Sequence, residues 1–377
     1  MGHRAADRRS GLGEFRRRAA PTSSCACRGF TPGSRACRGR AVTRRWVVYG
    51  TGSIARAVAS CAIEHGHAVV LAGRRESAVV GLAEKLRIPH RVVDLHEPSG
   101  TRRLLEQTTG IINAAGPFRE TSAVLFRAAL DSGTHYLDVS NEWDSHRMAH
   151  SLHDEAIERG IMIVPGAGFG THAAESLADH LVTQVSAAAD LEIVLGTRQG
   201  PRTEATRAST RLILKTPPRR RSDGHLTTAR DLTAIRSTSL PGIGRVTMVP
   251  IADGNLCALT RSQGAANVVV YATVTLVAPI ARLMIPLIRR VAASRVRPRG
   301  SSSPVVPART AQLWGYCAGA GGSIHASTLI TDDSARYTAE VVAAILALNP
   351  RAGTYTPHQI LGTRPGQLAA QARILRI

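Results

Sequence analysis

Between residues 46 and 168, short β-rich runs alternate with stretches of helical spacing, and this alternation constrains the chain more than any single residue does. WVVY (46–49), HAVVLAG (67–73), RVVDL (91–95), GIINAAG (110–116), HYLDVS (135–140) and IMIVPGAG (161–168) read as buried strands. Residues 54–63, 77–86, 102–107, 121–130 and 146–159 read as the helices between them, with Ser77 placed to cap the second. Strands separated by a helix must run parallel, because an antiparallel partner needs only a tight turn. The expected fold class is therefore α/β, a doubly wound parallel sheet of Rossmann type.

Beyond about residue 176 the pattern changes. Strand candidates at 191–197, 210–216, 245–251 and 267–276 are separated by turns rich in Arg, Pro and Gly, which points to a second, α+β domain inserted in or appended to the first. A chain of 377 residues is long for one domain and comfortable for two. The expected organisation is a basic leader at 1–44, a cofactor-binding domain at 45–175, an α+β substrate or interaction domain at 176–335, and a C-terminal helix and tail at 336–377. The apolar stretch 338–347 reads as the helix that returns to the first domain.

The formal net charge of +21 suggests an acidic partner until its placement is considered. Residues 1–45 hold twelve arginines against Asp7 and Glu14, so nearly half of the excess sits in the leader. Aromatic residues make up only 4% of the chain and do not interleave with a basic patch, so no nucleic acid is expected. The leader has no apolar core of a secretory signal. Cys61, Cys257 and Cys317 stand far apart and no CxxC pair exists, which fits buried thiols in a reducing compartment and no metal site. Residues 278–297 place Ile280, Leu283, Met284, Leu287, Ile288 and Val291 on one helical face among Arg282, Arg289, Arg290 and Arg295. Pro279, Pro286 and the arginines argue against a spanning segment, leaving peripheral membrane contact, docking to an acyl-carrying partner, or a domain helix that buries one face. A cytoplasmic location is expected, with membrane association as the alternative.

The chemistry gathers at the strand ends. GTGSIA (50–55) follows a strand and opens a helix: Gly50 permits the tight turn, Gly52 lets a pyrophosphate approach the backbone, and Ala55 keeps helix and strand close. Thr51, Ser53 and Ile54 complete this turn, whose free N–H groups attract an anion. At the end of the second strand, where a site for NAD offers a carboxylate, the chain offers Arg74 and Arg75. A guanidinium pairs with a 2′-phosphate, so the expected cofactor is NADP (NADPH). Asn113, Ala114 and Gly116, ending the fourth strand, are candidates to receive the nicotinamide ribose, and Asp94 to approach adenine or to serve as a turn residue. Hydride chemistry usually needs a proton donor or a polarised oxygen close by. His135 and Tyr136, assigned with Glu142 to the carboxyl end of the fifth strand, and His172, opening the next helix, are the catalytic candidates, each with a core or rim role as the alternative. Glu142 reads as a helix cap or a ribose ligand.

LAGRRES, NAAGPF, GTHYLDVSNE (133–142) and VPGAGFG (164–170), followed by PIADGN (250–255), RSQGAANVVVY (261–271), the Trp314–Gly315 region and GTYTPHQILG (353–362), occur in the order found in the saccharopine dehydrogenase-like oxidoreductases. Over 46–377 the chain resembles that family, including its trans-acting enoyl reductases. The resemblance implies a Rossmann domain with an inserted α+β domain and NADP-linked reduction, in the enoyl reductase branch of an acyl chain carried by a polyketide synthase. The chain departs from the family pattern where GATGYTG is usual and GTGSIAR stands, and where Gly170, His172 and Ala173 replace an Asp-Pro segment. Two alternatives stand beside the acyl-reductase expectation: an amino-acid dehydrogenase of the saccharopine type, and a lipid- or membrane-associated dinucleotide-binding scaffold without turnover.

Overall fold

A computed structural model describes residues 45–196, 216–229, 234–274, 277–283, 311–362 and 372–377. In the first half β1 (Arg45–Tyr49), α1 (Ser53–Glu64), β2 (Ala68–Gly73), α2 (Glu76–Leu86), β3 (His90–Val92), α3 (Pro98–Leu105), β4 (Gly110–Asn113), α4 (Phe118–Ser132), β5 (His135–Asp138), α5 (Trp143–Ser151), α6 (His153–Glu158), β6 (Met162–Val164) and α7 (Phe169–Val182) follow one another. The first sheet has the order β15-β6-β5-β4-β1-β2-β3, where β15 is Gly353–Thr354, and its strands are parallel throughout. From β1 the chain winds one way through β2 and β3 and the other way through β4, β5 and β6. This is the doubly wound Rossmann order, with its crevice at the carboxyl ends of β1 and β4.

The apolar runs form strands here because both of their faces are covered. Trp46 and Val48 pack with α1, α2 and α7, whereas Val47 and Tyr49 pack with α3, α4 and α5 on the other side. Successive side chains of a strand point to opposite faces, so a strand sandwiched between helix layers reads as continuous rather than alternating hydrophobicity. Each fully buried Val or Leu contributes about 1.5–3 kcal/mol.

Several boundaries correct the expectations from sequence. Ser77 does not cap α2: Arg75 holds the N-cap position in extended backbone with no side-chain bond, and Ser77 already lies inside the first turn. The helix expected over 146–159 is two helices broken at Leu152, where the tail docks. The Thr354 hydroxyl donates to the Ala149 carbonyl (3.0 Å), and His153 Nδ1 accepts from the Thr354 N–H (3.0 Å). The strand expected at 210–216 and the leader 1–44 lie outside the described residues, apart from Thr216.

The second sheet is mixed. β7 (Ala188–Gly196), β8 (Arg219–Ser222), β9 (His225–Thr228), β10 (Arg236–Leu240), β11 (Gly244–Ile251), β12 (Asn267–Val274), β13 (Ala311–Gly319), β14 (Ile324–Thr331) and β16 (Arg373–Arg376) build it, with α8 (Gly254–Ser262) between β11 and β12. Its order is β10-β11-β12-β7-β13-β14-β16, with β8 joining β12 to β9, and β12 runs parallel to β7 while its other pairs are antiparallel. α7 crosses the expected boundary at 175–176 and carries one continuous core from the first sheet into the second, where Leu191, Ile193, Leu313 and Leu329 pack. Gly315 permits this approach, since a Cβ there would stand 3.2 Å from Leu177 Cδ2.

The tail serves both sheets. After β14, α9 (Ser334–Leu346) packs along α1, with Arg336 3.5 Å from Glu64, β15 joins β6, and β16 pairs with β14. Of the amphipathic stretch 278–297, residues 278–283 are described and helical: Ala278 and Ala281 pack with Ile235 and Val249, while Ile280 and Leu283 are exposed. Among the described residues no helix is long and apolar enough to cross a membrane.

α10 (Pro357–Leu361) is pinned to α7 by Glu175, a buried carboxyl whose Oε2 accepts from the His358 N–H (3.1 Å). Burial raises its pKa from 4.5 to about 7, with Thr356, Ser262 and the His358 N–H pulling the other way. The folded chain therefore keeps a proton that the unfolded chain releases near its ordinary carboxyl pKa. This contribution to stability is complete at acid pH and is lost as pH rises through about 7. Glu175→Gln, which cannot ionise, is expected to lose less stability than the wild type between pH 5 and 8 in thermal melts. Parallel pH dependences of the two proteins would contradict this role.

Candidate active site

The crevice begins at the β1–α1 turn. Gly50 has φ +136, and a Cβ there would lie 2.8 Å from the Ala114 carbonyl oxygen, so only glycine lets this turn rest on the exit of β4. Gly52 is the N-cap of α1, makes no side-chain cap, and has open space where a Cβ would be. The helix ladder starts with Arg56 N–H donating to the Gly52 carbonyl (3.0 Å). The N–H groups of the preceding turn thus face the crevice with the positive end of the helix dipole behind them, while Ala55 is buried against the sheet. Thr51 packs its methyl toward Gly73, drawing the exits of β1 and β2 together.

At the end of β2, Arg74 and Arg75 are exposed. Tyr49 donates to the Val93 carbonyl (3.1 Å), and burial, then Asp94, push its hydroxyl up to about 12 with Arg74 opposing, which sets these three side chains in one neighbourhood. β3 ends at Val92, two residues before Asp94, whose Oδ1 accepts from the His96 N–H (3.0 Å). Asp94 thus serves the turn after β3.

The exits of β4 and β5 overturn two expectations. Asn113 is buried, and its amide is occupied internally: Nδ2 donates to Thr121 Oγ1 (2.9 Å) and the Tyr136 hydroxyl (3.2 Å), while Oδ1 accepts from the Ala115 N–H (3.1 Å). It shapes the turn carrying Ala114 and the exposed Gly116, which precedes a cis proline, and does not itself reach a ribose. His135 and Tyr136 stand at the start of β5, not at its carboxyl end, because the strand spans only His135–Asp138. His135 Nδ1 accepts from the Met162 N–H (3.1 Å), and the fully buried Tyr136 donates to Asp138 Oδ2 (2.9 Å). His172, buried in α7, places Nδ1 2.8 Å from the Tyr337 hydroxyl; burial, then His358, lower its pKa to about 4. None of these three lines the cavity described next. Glu142 caps α4, accepting from the Phe118 (3.0 Å) and Arg119 (2.8 Å) N–H groups.

A cavity of about 100 Å³ opens where β5 and β6 end beside α1. Ile54, Val139, Ser140, Asn141, Gly166, Gly168, Phe169, Gly170, Thr171 and Thr338 line it. Asp138 fixes both loops, its Oδ1 accepting from the Ser140 (2.9 Å) and Gly166 (2.7 Å) N–H groups. From the second sheet, Asp253 at the N-cap of α8 accepts from Asn141 Nδ2 (3.1 Å), and Gly254 N–H donates to the Asn141 carbonyl (3.0 Å). Thr338 of α9 accepts from the Phe169 N–H (3.1 Å). His146 Nε2 lies 3.1 Å from the Ser140 carbonyl, and burial lowers its pKa. Burial raises Asp253 to about 7, against the hydrogen bonds it accepts.

Sequence reasoning singled out Ile54 but missed Asp138, Ser140, Asn141, Thr171, Asp253 and Thr338. LDVSNE and PIADGN carried a local signal, a polar cluster directly after an apolar strand. What paired them was a contact between residues 112 apart in sequence. The open helix N-terminus, the glycine cradle and a cavity at the strand ends fit a dinucleotide with its pyrophosphate on α1 and its nicotinamide toward β5 and β6.

Comparisons with known proteins agree. Residues 46–164 match the family model of the saccharopine dehydrogenase NADP binding domain. A saccharopine dehydrogenase-like oxidoreductase of Arabidopsis thaliana is 42% identical over 83 residues, which are 22% of this chain and 18% of that protein. One from Bos taurus is 27% identical over 79 residues, 21% of this chain and again 18% of the relative. These matches thus span less than a fifth of the relatives' own length. The apo structure of a saccharopine dehydrogenase (L-Glu forming) from Saccharomyces cerevisiae superposes with a TM-score of 0.61 over 89% of this chain and 100% of that one, at 12% identity, a likeness of fold. The expected fold and the expected NADP(H) cofactor are both supported.

Gly52→Ala is expected to leave thermal stability unchanged, because its Cβ meets open space at a φ of −78. It is expected to weaken NADPH binding at least tenfold (about 1.4 kcal/mol) by standing where the pyrophosphate must approach. Fluorescence titration of NADPH checks this, and wild-type affinity in the variant would remove α1 as the pyrophosphate seat.

Proposed function

From the match of residues 46–164 to the saccharopine dehydrogenase NADP binding domain, we propose that the protein is an NADP(H)-dependent oxidoreductase that transfers hydride to or from a polarised double bond. The observation that carries this reading is the placement of the cavity: it joins the first turn of α1 to the carboxyl ends of β5 and β6, where the reactive end of a dinucleotide lies when its pyrophosphate sits on α1. When bound, the cofactor supplies the hydride. The chain binds the phosphates through the α1 N-terminus and orients the ring between Ile54, Val139 and Phe169, in a cavity whose loops Asp138 anchors. Arg74 and Arg75 are assigned to the 2′-phosphate.

The substrate we propose is a hydrophobic acyl group, free or carrier-bound, reduced in the manner of an enoyl reductase. Support comes from the surroundings of the ring, beside which the reacting bond must lie. Among the described residues the cavity lining contains no charged side chain, only apolar groups, glycines, hydroxyls and one amide. An amino-acid substrate brings a carboxylate and an ammonium into the site, and burying these without partners is costly.

The tests are binding and turnover by the full chain. Arg74→Ala/Arg75→Ala is expected to reduce the preference for NADPH over NADH by tenfold or more, with NADH affinity unchanged. NADPH oxidation is expected with 2-enoyl thioesters and not with 2-oxo acids plus amines. Turnover of the second set alone would replace the acyl reading with the amino-acid one. NADPH binding without turnover of either set would favour the scaffold alternative.

A further inference from the structure

Three of the residues lining the cavity carry an oxygen that is buried and has no hydrogen-bond partner among the described residues: Ser140 Oγ, Asn141 Oδ1 and Thr171 Oγ1. Ser140 is 2% exposed and Thr171 1%. A buried oxygen without a partner is unfavourable by about 1–3 kcal/mol, and folded chains leave few of them. Three around one small cavity mark a place that a polar group of a ligand completes.

The polarity of this seat is fixed. Asn141 Nδ2 faces Asp253 Oδ2 at 3.1 Å, and Asn255 Nδ2 donates to the same oxygen at 2.8 Å. Above about pH 7, where Asp253 is ionised, its Oδ1 accepts from the Leu256 N–H and its Oδ2 from both amides, so the amide of Asn141 is turned with Oδ1 away from Asp253. The seat therefore presents one obligatory acceptor, Asn141 Oδ1, beside two hydroxyls able to donate. A primary carboxamide is its complement: an NH2 that donates and a carbonyl that accepts.

We propose that Asn141 Oδ1 accepts the N–H of the nicotinamide carboxamide while Ser140 or Thr171 donates to the carboxamide oxygen, and that Asp253 is the positioning residue setting this polarity from the second sheet. This inference rests on the placement of NADP(H) proposed above. Asp253→Asn would turn an amide N–H toward Asn141, reversing the Asn141 amide and presenting its N–H to the ligand.

The test compares three ligands on the full chain: NADP+, its 3-acetylpyridine analogue, whose methyl ketone keeps the carbonyl but lacks the N–H donors, and 2′-phospho-ADP-ribose, which lacks the ring. The wild type is expected to bind NADP+ about tenfold more tightly than the analogue. Asn141→Ala is expected to bind both alike, and Asp253→Asn to lose or invert the preference. All three proteins should bind 2′-phospho-ADP-ribose equally, which also verifies their folding. Equal binding of NADP+ and the analogue by the wild type, or a preference retained in both variants, overturns the seat while leaving the cofactor reading intact. Failure of the wild type to bind even 2′-phospho-ADP-ribose overturns the cofactor reading itself.

Discussion

A single buried carboxylate holds the functional edge of this molecule together. Asp138 ends β5 and accepts from the Tyr136 hydroxyl and from the backbone N–H groups of Ser140 and Gly166. An isolated carboxylate would be very unfavourable at this depth, and these donors, with the Ser145 hydroxyl as a fourth at 3.4 Å, are what permit it there. Its partners lie on β5, on the loop after β5 and on the loop after β6. Through Tyr136 it also meets the amide of Asn113, which folds the loop after β4. Three strand exits are thereby held by one hydrogen-bonded network, and the cavity lies where two of them face α1.

The second sheet builds the site as well as covering it. α7 starts at the cavity and ends among residues of the second sheet, so a displacement of that sheet would be felt at Gly168–Thr171. Asp253 reaches from the N-cap of α8 to Asn141, and Gly254 takes the carbonyl of the same residue. α9 contributes Thr338 to the lining and lies along α1, the helix whose first turn faces the phosphates. A cofactor bound across α1 and the β5 and β6 loops would thus contact groups positioned by both sheets.

The candidate residues divide by the kind of information that locates them. The Gly50–Ala55 turn and the exposed arginines after β2 were legible because backbone conformation and charge are set there within a few residues of a strand end. His135, Tyr136 and Asn113 misled for a related reason: a polar residue beside a strand end suggests a ligand contact, and whether it makes one depends on the neighbours that packing gives it. The Met162 N–H on β6, Asp138 on β5 itself and Thr121 in α4 occupy those side chains.

The sequence by itself determined the first domain: the alternation of apolar runs and helical spacing dictates parallel strands between helix layers, and the glycines dictate a tight β1–α1 turn, with two arginines at the end of β2. These properties are local in the chain, set by side-chain period, φ and charge. Only the tertiary structure decided which polar residues line the cavity or hold its lining in place. Asn141, Asp253 and Thr338 come from three distant parts of the chain, and their pairing depends on how α7, α8 and α9 pack. Hydrogen-bond satisfaction in a buried site is a property of neighbours in space, which no spacing along the chain encodes.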